Sequence, residues 1–322
     1  MENQIPLVSI IIPVYNSENH LEGCIQSAIG QTYDDLEVII IDDGCTDSSP
    51  SIIRKYMDLD DRIKCIHKSN EGLVKARMDG IGLAHGKYIQ YLDSDDTLQQ
   101  NAIELLVAKA EEVQADIVVA PFYFCEGEKR WLSEVVEFEE MTGLEYLKYI
   151  LSFKAYWAVW VKFHLRSLYL NNIERLDIAF GEDAVLSSQL LLYSKKVVSI
   201  DTPILNYGIY PSSMSHCLDD KTYKDFNVYV SWFDDYMDRN NLTVVLKREL
   251  ALFHLKNTMM RLHWKKLMDT HKEMGRVLEE LSQYPDLEGC FSNRERKIVA
   301  VYKKSNLLGY LNLLRYSWQN KI

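Results

Sequence analysis

Several things are missing from this 322-residue sequence. No apolar run approaches the roughly 18 residues needed to span a bilayer. The stretch from Ile5 to Val14 is short, carries Pro13, and follows Glu2 rather than a basic segment, so it reads as a buried first strand and not as a secretory signal. Paired cysteines are missing as well. Cys24, Cys45, Cys65, Cys125, Cys217 and Cys290 are scattered without a CxxC, which disfavours a disulfide framework or zinc cluster and favours reduced thiols. Positive charge is scarce: 36 Lys and Arg against 47 Asp and Glu leave a net charge of -11, which argues against nucleic acid as a partner. There is also no glycine-rich phosphate loop. The first strand runs into Pro13-Val14-Tyr15-Asn16-Ser17, and Gly86-Lys87 precedes a strand where a P-loop lysine would open a helix. Internal repeats and low-complexity linkers are absent. With 47% hydrophobic and 26% charged residues, the expectation is a soluble, cytoplasmic protein of one large domain plus an appendage.

What is present is an alternation of short apolar runs with amphipathic ones. Val8 to Val14, Val38 to Ile41, Ile63 to His67, Tyr88 to Leu92 and Ile117 to Phe124 read as strands. Ser17 to Ile29, Pro50 to Met57, Leu73 to Ala84 and Leu98 to Val113 read as helices, with Ser49 as N-cap and Pro50 as first helical residue of the second. The pattern predicts an α/β fold with a mostly parallel sheet flanked by helices. From residue 126 to about 216 the alternation weakens and aromatics accumulate, and the remainder reads as mainly helical.

Two acidic clusters end predicted strands: Asp42-Asp43 after Ile39-Ile40-Ile41, and Asp93-Ser94-Asp95-Asp96 after Leu92. Open parallel sheets bind ligands beyond the carboxyl ends of their strands, so both clusters should face one crevice. The second cluster is a DxD arrangement, suited to a hard divalent ion bridging to a diphosphate, though Asp and Ser also serve as plain turn residues. Between the clusters, Gly72 can make a tight turn into a helix whose start carries Lys75 and Arg77, an arrangement that suits phosphate or a solvated helix face. Glu182-Asp183 opens the apolar run Ala184 to Leu192, where a carboxylate could cap the helix or remove a proton from a hydroxyl.

These residues together resemble glycosyltransferase family 2, whose members share the GT-A fold. The matches are Val8 to Asn16 (VSIIIPVYN), Gln31-Thr32-Tyr33 with Glu37 to Asp47 (EVIIIDDGCTD), Asn70-Glu71-Gly72 with Ala76-Arg77, and Gly86-Lys87-Tyr88 with Tyr91 to Asp96 (YLDSDD). Looser matches follow at Val159 to Lys162 with Arg166 to Leu168, at Phe180 to Asp183, and at Ser213-Met214-Ser215. The resemblance covers residues 7 to about 216. It implies a Rossmann-like GT-A domain at 1–216, divided into a nucleotide-binding half (1–125) and an acceptor half (126–216), with a helical region at 217–322.

The resemblance further implies an inverting transfer from a UDP-sugar to a hydroxyl of a glycan or lipid-linked glycan in polysaccharide synthesis, assisted by Mn2+ or Mg2+. By this analogy Pro13, Tyr15, Asn16 and Asn70 line the nucleotide pocket and Asp42 bonds the uracil. Asp93 and Ser94 approach the ribose or a metal-bound water, Asp95 ligates the metal, and His216 is a further candidate ligand. Asp183 is the base, and Arg77 stabilises the departing diphosphate. Two positions depart from the family pattern: Val161 replaces the usual Asn, and Tyr207-Gly208 stands where many members have Tyr-Arg, removing a cation from the diphosphate. A nucleotidyltransferase and a catalytically inactive glycan-binding GT-A protein are the competing readings.

Residues 291 to 322 reverse the charge balance, with Arg294, Arg296, Lys297, Lys303, Lys304, Arg315 and Lys321 against Glu295, interleaved with Leu and aromatics. Such a segment can lie on an anionic membrane surface or pack its Leu face on the protein.

Overall fold

A computed structural model describes residues 7–134, 137–210 and 218–319, with side chains described as far as residue 314. His216 and Ser213-Met214-Ser215 lie outside the described residues. The chain divides into two compact units, Met1–Leu147 with Lys154–Ser213 and Lys148–Phe153 with Met214–Ile322.

In the first unit the strands and helices alternate as the apolar pattern dictates: β1 (Val8–Val14), α1 (Leu21–Ile29), β2 (Leu36–Asp43), α2 (Ser49–Met57), β3 (Ile63–Lys68), α3 (Leu73–Leu83) and β4 (Tyr88–Tyr91). Every residue of β1, β2 and β4 is buried, as near-continuous Val and Ile runs require when helices cover both faces of a sheet. β5 (Thr97–Leu98), α4 (Ala102–Val113), β6 (Ile117–Val119), β7 (Tyr123–Glu126) and β8 (Lys129–Leu132) follow. Then come α5 (Gly143–Leu151), which belongs to this unit only as far as Leu147, β9 (Lys162–Leu165), α6 (Glu182–Tyr193), β10 (Val197–Ser199) and β11 (Leu205–Gly208). Among the described residues one sheet has seven strands in the order β10-β6-β9-β4-β1-β2-β3, and a second has four in the order β5-β11-β7-β8. The first is parallel except for β9, which runs antiparallel to both β4 and β6.

Several boundaries differ from expectation, α1 for instance starting at Leu21 rather than Ser17. Ile117 to Phe124 is not one strand: Pro121, which has no N–H to offer a ladder, separates β6 in the large sheet from β7 in the small one. Thr97–Leu98 does not begin the helix but pairs antiparallel with β11, and α4 starts only after Asn101. The second helix is capped at Ser48, not Ser49, which is its first residue; the Ser49 N–H donates to Asp47 Oδ1 at 2.9 Å and its hydroxyl accepts from Ser17 N at 3.0 Å.

The second unit contains α7 (Asp220–Arg239), α8 (Lys247–Met260), α9 (Leu267–Ser282), α10 (Asn293–Lys304) and α11 (Asn306–Gln319). Its core joins Leu252 and Leu255 of α8 to Met274 and Val277 of α9, Val299 and Tyr302 of α10, and Leu313 of α11. The basic tail therefore packs part of its apolar surface on its own unit, yet Leu307, Leu308, Leu311 and Leu314 of α11 remain exposed. No helix among the described residues is long and apolar enough to cross a membrane.

Candidate active site

Register brings the predicted clusters to one edge of the large sheet. Val14 of β1 lies opposite Asp42 of β2, and Ile11 lies opposite Tyr91 of β4, so the three strands release their chains side by side. Hydrogen bonds then knit the released segments together. Asn16, held at a positive φ of 48°, accepts from Thr46 N through Oδ1 at 2.8 Å, and Ser17 Oγ shares a 2.6 Å bond with Ser94 Oγ. Tyr15 stands 54% exposed beside Pro13, an aromatic surface open to a ligand.

Asp42 and Asp43, adjacent in sequence, do different things. One oxygen of Asp42 accepts from Cys45 N at 2.8 Å and the other pairs with His67 Nδ1 at 2.7 Å. Burial works against its charge, but the bonds from Cys45 and His67 outweigh it and hold the carboxyl below its usual range. Asp43 accepts from the backbone N–H groups of Glu71 and Gly72 at 3.0 and 2.8 Å. Gly72 has φ 88°, the turn that leads into α3. A carboxylate of the protein itself thus takes two of the N–H groups before the helix where a phosphate was considered, and Lys75 pairs with Asp79. Asn70 is exposed at the same edge.

The hub of the site is Arg77. It lies on the buried face of α3, 2% exposed, with its guanidinium over the Tyr91 ring at 5.6 Å. Nη1 donates to Asp183 Oδ1 at 2.7 Å, Nη2 donates to Asp93 Oδ1 at 3.1 Å, and Glu182 lies 3.8 Å away. Val74, Met78, Ile173, Leu176 and Val185 line a mostly apolar cleft behind it. Burial disfavours its charge, but Asp183, Asp93 and Glu182 prevail and bind its proton more tightly than usual. Both terminal nitrogens of Arg77 are thus engaged by carboxylates, Asp183 at one and Asp93 at the other. Burial and the neighbouring Asp183 push Glu182 upward, against the pull of Arg77. Asp183 sits in the first turn of α6, introduced by Gly181 at φ 90°.

Asp93 to Asp96 form the turn between β4 and β5. Burial raises the carboxyls of Asp93 and Asp95, with Arg77 opposing the first shift and His20 opposing the second. Asp96 is 1% exposed; its Oδ1 accepts from Gly208 N at 2.8 Å, and its Oδ2 has no partner among the described residues. It ties the turn to the small sheet, whose polar face continues into a pocket of about 360 Å³ lined by Asp95, Thr97, Arg130, Asn206, Gly208 and Tyr210. Asp95 offers the oxygen donor a hard divalent ion prefers. Among the described residues no group of three or more His, Cys, Asp or Glu could hold an ion alone. That donor set fits an ion held by one or two carboxylates together with substrate phosphates.

Some contributors were not legible in the sequence. Lys162 is fully buried and its ammonium donates to the carbonyls of Tyr156, Trp157 and Ala158 at 2.9, 3.1 and 2.7 Å. It ties down residues 156–158 ahead of β9, and Ser187 of α6 donates to the same Trp157 carbonyl at 2.6 Å. Val161, at the family's usual Asn, is 3% exposed and packs in the interior. Arg130 and Tyr210 carry no local signature; only the pairing of β7, β8 and β11 brings them towards Asp95.

The chain is similar to known proteins over most of its length. The model of "Glycosyl transferase family 2" matches residues 9–176. The glycosyltransferase EpsJ of Bacillus subtilis (strain 168) is 33% identical over 246 residues, 72% of this chain and 71% of its own. Glycosyltransferase GlyA of Streptococcus pneumoniae serotype 4 is 32% identical over 225 residues, 66% of this chain but 32% of its own. Among solved structures, residues 1–349 of S. aureus TarS in complex with UDP-GlcNAc superpose with a TM-score of 0.71 at 18% identity, covering 97% of this chain and 91% of that one. The fold is therefore GT-A, and the chain belongs to glycosyltransferase family 2.

Proposed function

We propose that the chain transfers a sugar from a UDP-sugar to a hydroxyl of a glycan or lipid-linked glycan acceptor, with inversion, in cell-surface polysaccharide synthesis. The observation that carries this reading is the convergence of Asp42, Asp93, Asp95 and Asp183 on one crevice, with Arg77 joining Asp93 to Asp183. Solved TarS complexes with UDP-GlcNAc and with UDP support a UDP-linked donor.

In this reading the uracil enters beside Pro13 and Tyr15, between Asn16 and Asn70, and bonds to Asp42, kept ionised by Cys45 and His67. Asp93 and Ser94 face the ribose side. Asp95 would hold a divalent ion, Mn2+ or Mg2+, which when bound neutralises charge on the diphosphate. Asp183 accepts the acceptor hydroxyl's proton while its oxygen attacks the anomeric carbon from the face opposite the departing UDP. Arg77 fixes the Asp183 carboxylate in direction, because its fork is anchored by Asp93 on the other side.

The test is UDP release from a panel of UDP-sugars with acceptor extract, with Mn2+ or Mg2+ and with EDTA, beside Asp95→Ala. Release with one donor, lost with EDTA and in the variant, is the expected result. No release and no metal-dependent UDP binding would move the assignment to a non-catalytic binding protein.

A further inference from the structure

The pocket beside Asp95 has a strong imbalance of charge. Asp93, Asp95 and Asp96 gather at its turn, and Arg77 is already engaged by Asp183 and Asp93. Cleavage of the anomeric C–O bond leaves its electron pair on the diphosphate oxygen, so the leaving group gains one negative charge while the hydroxyl proton goes to Asp183. A divalent ion at Asp95 compensates only part of this total.

Position 208 cannot supply the remainder. Gly208 has no side chain, and a Cβ there would lie 2.3 Å from Cε2 of Tyr210. The Tyr210 ring fills that space and stacks near His20 at 4.1 Å between ring centres. The strand register offers a replacement. Gly208 of β11 pairs with Cys125 of β7, and Cys125 pairs with Arg130 of β8, so these residues form one cross-strand row on a single face. Phe124, Trp131 and Tyr207, one step along each strand, occupy the other face in an aromatic cluster. Arg130 lies across the Tyr123 ring at 3.7 Å, and its Nη2 donates to Asn206 Oδ1 at 2.8 Å. The guanidinium thus reaches back over two strands to line the pocket shared with Asp95. Among the described residues it forms no ion pair, so its charge is available to a ligand.

We propose that Arg130 is the counter-cation for the departing diphosphate, reaching from β8 to supply the charge that position 208 lacks. This rests on the UDP-sugar reading above. Tyr123 holds the guanidinium flat and Asn206 orients its fork, which leaves further N–H groups for phosphate oxygens.

Calorimetric binding of UDP and of UMP, each with Mn2+, to the full-length wild type, Arg130→Gln, Arg130→Lys and Lys129→Gln tests it. Lys129 is an exposed neighbour on the opposite face and controls for general surface charge. Arg130→Gln should weaken UDP by about ten- to a hundredfold and leave UMP within about twofold, because UMP lacks the second phosphate. Arg130→Lys should fall between, and Lys129→Gln should match the wild type. Equal UDP affinity in the wild type and Arg130→Gln overturns the proposal while leaving the donor reading intact. Failure of the wild type to bind UDP with metal overturns both.

Discussion

Arg77 Nη1 lies 2.7 Å from Asp183 Oδ1, and the two residues are 106 positions apart in sequence. The pair joins α3 to the first turn of α6, and through Asp93 it reaches the turn after β4. One buried guanidinium thereby fixes the spacing between the carboxylates proposed for donor and acceptor.

Substitutions at the pair separate its roles. Asp183→Asn should lower kcat by about 10²- to 10⁴-fold, the usual worth of a general base, with UDP affinity nearly unchanged. Arg77→Lys keeps a charge but loses the fork, and should lower kcat with little effect on UDP binding. A large loss of UDP affinity in Arg77→Lys would instead place the side chain on the diphosphate. Arg77→Met leaves Asp93, Glu182 and Asp183 without their buried cation and should cost about 3–5 kcal/mol of stability, read by denaturant unfolding.

Lys162 gives a second prediction. Burial pulls its ammonium down to a pKa of about 7, yet three carbonyls accept from it. Lys162→Met strands the Tyr156 and Ala158 carbonyls, while Trp157 keeps Ser187, and should destabilise the protein by about 3 kcal/mol. Unchanged unfolding would show that the bend at 156–158 holds without it.

A third concerns pH and the helical unit. His254 of α8 bonds Glu280 of α9 at 2.7 Å and Asp234 of α7 at 2.9 Å, with Arg276 balancing the second negative charge. Burial lowers its pKa, but the two carboxylates overcome this and raise it to about 9. A histidine raised above its unfolded value stabilises fully below about pH 6.5 and loses that contribution as pH climbs through 9. The loss is on the order of 3 kcal/mol. Melting followed from pH 6 to 9.5 should decline in the wild type, and the decline should flatten in His254→Gln.

The fourth concerns α11. Leu307, Leu308, Leu311 and Leu314 are exposed on a helix preceded by Lys303 and Lys304, which supports peripheral contact with an anionic membrane. Full-length protein should sediment with vesicles containing phosphatidylglycerol, and Leu307→Gln with Leu311→Gln should sediment less. Equal sedimentation of the two would assign those leucines another role.

Several features were legible in the sequence because they depend on local chemistry. The near-continuous Val and Ile runs of β1 and β2 declare a sheet covered on both faces, and the acidic residues that end such runs mark the edge where a ligand is expected. The main family motifs lie between Val8 and Asp96, and the family model matches residues 9–176. Short strands in mixed aromatic and charged surroundings were another matter. β8, β9 and β11 have four residues each, too few for a period to show, and their identity comes from the partners they meet.

Tertiary structure alone decided how the charges are used. Arg77 reads in sequence as a cation near a helix start, and only folding surrounds it with Asp93, Glu182 and Asp183. Arg130 reads as a residue of an exposed hairpin, and only the row from Gly208 through Cys125 turns it towards Asp95. Residue type and spacing determine which elements form, because helix and strand periods are local. The partner of each charge depends on which distant segments the sheet brings within about 3 Å, where desolvation makes the pairing count.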